Sequence, residues 1–176
     1  MSHETKKYTD SNWRWKTASP FSQAIEIGDQ VFISGQQALT HDGELVAPGD
    51  ISSQTRCVFE NMKATLASAG LELSDLVRLN TYYVFDGADE DATEYWEKMT
   101  KVRLEYFPNP GPAATAVRIK GMPYHGQLIQ IEGIALQGES RSNRKRIMPK
   151  GSWDWSIPVP LSQGWEVGGR VFVGGQ

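Results

Sequence analysis

A chain of 176 residues with a formal charge of −3, from 18 Lys and Arg against 21 Asp and Glu, sets up no field that would draw in nucleic acid or an anionic membrane. It holds no apolar run long enough to span a bilayer. Its single cysteine, Cys57, excludes a disulfide framework and fits a reducing compartment, so a cytoplasmic protein is expected.

Residues 1–12 read as a polar leader without the apolar run of a secretion signal. Trp13 and Trp15, alternate residues of an extended stretch, share one face and are expected to serve as an anchor across the neighbouring β-hairpin. In that hairpin Ile25 and Ile27 alternate with Glu26, Gly28-Asp29 turns the chain, and Val31-Phe32-Ile33 returns it. The pattern recurs at one interval. Trp13, Trp15, Pro20, Glu26 and Gln36 come back as Trp153, Trp155, Pro160, Glu166 and Gln176, each 140 residues on. That offset implies a domain over residues 13–137, a linker over 138–152 and the opening hairpin of a second repeat over 153–176.

His41-Asp42-Gly43 and Pro48-Gly49 mark a loop. Asp50 is placed to cap a helix running to about Ala69 and closed by Gly70, with Ile51, Val58, Phe59, Met62 and Leu66 on one buried stripe. Cys57 lies beside that stripe and reads as a small half-buried side chain rather than a reactive thiol. Asp75 to Phe85, rich in β-branched and aromatic residues, predicts a strand. The acidic run Asp86, Asp89, Glu90, Asp91 and Glu94 lacks the alternate spacing of calcium ligands, but suits the positive end of a helix. That helix turns Ala92, Tyr95, Trp96, Met99, Val102 and Tyr106 inward and stops before Pro108. After the rigid Pro108–Pro112 connector, Ala114 to Lys120 is a strand with Val117 and Ile119 on one face, Thr115 and Arg118 near or on the other. Gln127 to Leu136 is the last strand of the domain, and Arg141, Arg144, Lys145 and Arg146 read as a solvated basic cluster in the linker. The order β-β-α-β-α-β-β gives an α+β class, two helices on one face of a mixed sheet. The other face needs a cover, from further copies or from a docked second repeat.

His3, His41 and His125 stand apart, with no pair at metal-ligand spacing, so no metal is assigned. No phosphate-cradling loop or serine-hydrolase elbow is present, and no cofactor is implied. Chemistry read from residue types leads no further.

Five stretches, in order, carry a resemblance: Pro20-Phe21-Ser22-Gln23-Ala24, Ile33-Ser34-Gly35-Gln36, Asn61…Leu66…Ala69-Gly70, Gly111-Pro112-Ala113-Ala114-Thr115-Ala116-Val117 and Ile129-Gln130-Ile131-Glu132-Gly133-Ile134-Ala135. Together they resemble the Rid/YjgF family of reactive-intermediate deaminases. The resemblance implies a chorismate-mutase-like fold, usually trimeric, with ligand clefts between neighbouring units, and hydrolysis of enamines and imines to ketones and ammonia. It also marks departures. Ala114 stands where the family's deaminases hold the substrate carboxylate with arginine, Phe21 where they carry tyrosine, and Gln130 where a glutamate positions water, with Glu132 two residues on. Alanine cannot form a charged, bidentate clamp. The chain thus resembles an arginine-less branch, for which ordinary 2-imino-acid deamination is not expected.

The expected function is that of the first chain of a self-cleaved two-repeat hydrolase acting on a C–N bond, amide or enamine/imine, of a small molecule. A Ser, Thr or Cys following Gln176 would attack the preceding carbonyl, making Gly175 and Gln176 the processing site and the second chain a partner. Homo-oligomeric, trimer-like contacts are expected as well. Phe21, Ser34, Gly35, Ala114, Thr115 and Gln130 would line the cleft and Glu132 would serve as general base. The alternative is a non-catalytic ligand-binding or structural subunit. A ribonuclease reading is disfavoured by the acidic balance and the lack of a base-stacking sheet face.

Overall fold

The computed structural model describes residues 4–8, 21–108, 110–151 and 157–175; the expected anchors Trp13, Trp15, Trp153 and Trp155, and Gln176 of the expected processing site, lie outside them. Strands β2 (Ala24–Ile27) and β3 (Gln30–Gln37) form the first hairpin, with Gly28 at φ +63° in its turn. Part of the expected leader is an edge strand instead: β1 (Thr5–Tyr8) pairs antiparallel with β2 and buries Tyr8. Three polar residues out of four hid it, since only the partner strand makes it one.

Helix α1 (Ile51–Ser68) begins where expected, because the Asp50 carboxylate accepts the backbone N–H groups of Ser52 and Ser53 at 3.0 and 3.2 Å. Gly70, at φ +71°, closes it. Strand β4 (Leu76–Val84), helix α2 (Ala92–Tyr106), and strands β5 (Ala113–Ile119) and β6 (Ile129–Leu136) complete the expected order. The sheet runs β1-β2-β3-β6-β4-β5; only β4 and β5 are parallel, and β5 is an edge. Both helices lie on one face. Phe59, Met62, Leu66, Met99 and Val102 meet Val31, Ile33, Leu79, Ile129 and Ile131 there, and Phe59 stands edge-on to Phe107 at 5.3 Å. Among the described residues no helix is long and apolar enough to cross a membrane.

The stretch expected to be a solvated linker is structured. Strand β7 (Lys145–Ile147) joins β8 (Gly164–Val167) and β9 (Arg170–Val173) in a second, antiparallel sheet. The basic cluster is consumed in holding it: Arg141 pairs with Asp75 at 2.8 Å and Arg144 donates to Ser74 O at 2.6 Å while lying over the Trp165 ring. Arg146 donates to Leu161 O at 2.7 Å and Ser162 Oγ at 3.0 Å. Trp165 and Val167 then pack on Val77, Ala113 and Leu136, a separate cluster on the sheet face opposite the helices. The chain's own 157–175 segment thus covers part of the face that needed a cover. Arg170 forks onto both Asp29 oxygens, tying the turns of the two hairpins together.

Candidate functional site

Segment 157–175 docks along the edge of β5. Ser162 N donates to Pro112 O at 3.1 Å and Gly175 N to Ala114 O at 3.0 Å. Ser162 Oγ and Trp165 Nε1 both donate to Gly111 O, at 2.8 and 3.2 Å. The approach is close enough to require glycine: a Cβ on Gly111 would stand 1.9 Å from Pro160 O.

Above that seam lies a cavity of about 300 Å³, at the small end of ligand pockets. Ala114, Thr115 and Ala116 of β5 form its floor, with Tyr83 of β4 and Trp96 and Arg103 of α2 beside them. Its far wall is Leu161, Ser162, Gln163, Gly174 and Gly175. These five stand 140 residues after Phe21, Ser22, Gln23, Ser34 and Gly35. Two alanines leave the room open.

Thr115 connects the cavity to the outward face of the sheet. Its register opposite Asn80 puts it on the same face as Val117, not on the face of Arg118, as the strand pleat requires. Arg118 alone crosses to Phe85 O and Asp89. Arg78 Nη2 donates to Thr115 Oγ1 at 3.0 Å and to Asn80 Oδ1 at 2.9 Å. Asn80 Nδ2 donates to Glu132 Oε1 at 3.0 Å, and Tyr82 OH donates to the same oxygen at 3.1 Å. That bond to the carboxylate pushes the Tyr82 phenol up from its ordinary value. Side chains of three adjacent strands thereby form one hydrogen-bonded chain.

The residues expected to line one cleft fall in three places. Ala114 and Thr115 line the cavity, with Gly175 of the expected processing site opposite them. Glu132 stands in the outward chain and not in the cavity wall. Phe21, Ser34, Gly35 and Gln130 gather around β3. Phe21 is 75 % exposed, Ser34 Oγ donates to Gln23 O at 3.0 Å, and Gln130 accepts from Gln37 at 3.0 Å while its amide lies over Gly35. The strand order separates them: two strands lie between β3 and β5, about 14 Å in all. Within one chain the two groups cannot face one ligand. Cys57 is half-buried, and burial pushes its thiol up, as a structural cysteine requires.

Arg103 was not foreseen. It lines the cavity 5 % exposed, and burial pushes its guanidinium down to about 10. A signal existed in its spacing, four residues after Met99 on the inner stripe of α2, but a charged residue there reads as solvent-facing. Among the described residues no three His, Cys, Asp or Glu side chains gather to hold a metal.

Residues 12–137 match the family model described as endoribonuclease L-PSP. The chain belongs to that family, Rid/YjgF. A RutC family protein of Pyrococcus abyssi is 37% identical over 120 residues, which are 68% of this chain and 88% of that one. The 2-iminobutanoate/2-iminopropanoate deaminase of Dermatophagoides farinae is 29% identical over 117 residues, 66% of this chain and 85% of the deaminase. Among solved structures, a putative endoribonuclease of Thermotoga maritima superposes with a TM-score of 0.64 at 30% identity, over 76% of this chain and 98% of that one. RidA of a Psychrobacter species gives 0.62 at 26%, over 75% of this chain and all of RidA. This Rid/YjgF chain therefore has the α+β fold of its relatives, a mixed sheet with two helices, and a family that includes deaminases acting on C–N bonds.

Proposed function

We propose that this chain is a subunit of a hydrolase that opens the C–N bond of a small imine or enamine in the cavity beside β5. One observation carries the reading: the counterparts of Phe21, Ser22, Gln23, Ser34 and Gly35, 140 residues on, face Ala114 to Ala116 across a cavity. That is the kind of meeting between neighbouring units in which the family resemblance places a ligand cleft. An imine deaminase among the relatives supports the choice of bond.

The wall favours imine or enamine over amide. An imine carbon accepts water readily, so the protein needs to hold substrate and water in register and supply a proton to nitrogen. Thr115 and Tyr83 bring hydroxyl-bearing side chains to that wall. An amide needs an activated nucleophile as well, and among the described residues the wall holds no carboxylate, imidazole or thiol. Glu132 then acts at a distance, ordering Thr115 through Asn80 and Arg78. In this reading the chain is of the arginine-less kind and residues 153–176 open a second repeat. The constant offset and the place of Gly175 in the wall support that finer part.

The test of the reaction is ammonia release from imines generated in situ from a panel of amines and amino acids. Acceleration of at least tenfold over buffer is expected, lost in Ala114→Leu, which fills the cavity. A protein that binds ligands in the cavity but gives no acceleration would instead be the non-catalytic subunit.

A further inference from the structure

Hairpin β8–β9 repeats hairpin β2–β3 in space as well as in sequence. Gly164, Trp165, Glu166 and Val167 pair with Val173, Phe172, Val171 and Arg170, in the register of Ala24 to Ile27 on Ile33 to Gln30. A third strand repeats too, for β7 lies beside β8 as β1 lies beside β2. Residues opposite one another on antiparallel strands point to the same side of the sheet. One side of the first hairpin therefore carries Lys6, Glu26 and Val31 in one row and Tyr8, Ala24 and Ile33 in another. The matching side of the second carries Lys145, Glu166 and Val171, then Ile147, Gly164 and Val173.

The two matched sides differ in their cover. In the first hairpin α1 packs on β3, and Val31 and Ile33 are 0 % and 3 % exposed in the core. In the second, Val171 and Val173 are 56 % and 49 % exposed. Its other side is already occupied, since Trp165 and Val167 are buried against the domain. An apolar row rimmed by a charged pair, Lys145 and Glu166 at 3.8 Å, has the makeup of a contact surface. Alternate valines on a strand offer a row onto which a helix can lay side chains spaced by one turn.

We infer that this side of the second sheet docks an amphipathic helix of α1's kind, with large apolar residues at the spacing of Val58, Phe59, Met62 and Leu66. The inference rests on reading residues 153–176 as the opening of a second repeat. Helix α1 of another copy cannot be the occupant, because those four residues are fully buried in its own core. Since β9 runs straight into Gly174 and Gly175 of the cavity wall, docking also steadies that wall.

A peptide with the sequence of residues 50–70, carrying Cys57→Ser to prevent disulfide formation, tests this by calorimetric titration into the 176-residue chain. It should bind at least tenfold more tightly than the same peptide with Phe59→Asp and Met62→Asp, and gain helical circular dichroism as it binds. Val171→Asp in the protein should weaken binding at least tenfold, and Val173→Asp reads the same contact if that variant fails to fold. Leu104→Asp, at an exposed site on α2, should bind as the wild type does. The bound peptide should also slow amide exchange at Gly174 and Gly175. Equal binding of the two peptides, unchanged binding in both valine variants, or a dimer of the protein that Val171→Asp dissolves would overturn the inference. These readouts need no turnover. Peptide binding without ammonia release refutes the proposed reaction alone, and ammonia release without peptide binding refutes this inference alone.

Discussion

Gly111→Ala isolates how closely segment 157–175 must approach β5. Gly111 has no left-handed φ, so alanine costs the backbone nothing there; the whole effect comes from a methyl group that would stand 1.9 Å from Pro160 O and 2.7 Å from the attached carbon. Both are rigid backbone atoms. Relief requires the stretch from Pro160 to Ser162 to move away, which breaks the Ser162 N bond to Pro112 and the Ser162 Oγ and Trp165 Nε1 bonds to Gly111. At roughly 1 kcal/mol net for each, the loss is about 3 kcal/mol, and local opening of the segment becomes on the order of a hundredfold more frequent. Native-state hydrogen exchange reads this directly: protection at Ser162 and Gly175 should fall by that factor, while α1 amides keep theirs. Protection within twofold of wild type at both positions would refute the reasoning.

Two further outcomes bear on the frame. Hydrogen bonds from Arg170, then from Ser140, hold the Asp29 carboxyl at about 2, below its ordinary 3.8. A carboxyl held down in the folded state adds stability that is complete above roughly pH 4 and is lost as the pH falls toward 2. With 35 % of Asp29 and 38 % of the Arg170 side chain exposed, screening leaves about 1 kcal/mol; Asp29→Asn should lower urea stability by that much at pH 7 and flatten its fall between pH 4 and pH 2, and an unchanged slope would argue against the pair. Phe59→Ala, which empties a fully buried site between Tyr106 and Phe107, should cost about 3–5 kcal/mol in urea unfolding with the slope unchanged; a loss under about 1 kcal/mol would mean the core there closes up.

What the sequence made legible was whatever is decided locally. The Asp50 cap, the Gly70 stop, the buried stripe of α1 and the Gly28 turn each depend on a few neighbouring residues, and each stands where expected. Features decided by distant partners were hidden. The Thr5–Tyr8 strand exists because β2 has a free edge. The basic run from Arg141 to Arg146 resembles a solvated linker until the carbonyls of Ser74 and Leu161 are seen to await it. The chain from Thr115 to Glu132 needs the order β6-β4-β5, which sequence order does not reveal. Arg103 needed the converse insight, that a charge on a core stripe belongs to a cavity rather than to solvent.

The parallel pairing of β4 with β5 leaves β5 on the rim, where Ala113-Ala114-Thr115-Ala116-Val117 is a run of five residues without a charge. Such a rim is a template on which another extended chain can add itself, strand to strand. Ser162 and Gly175 occupy its backbone groups at Pro112 and Ala114, so the docked segment is also a guard against aggregation. Releasing it would do more than open the cavity. It would convert the domain's edge into an adhesive one, and the first sign of a weakened seam would be turbidity rather than unfolding.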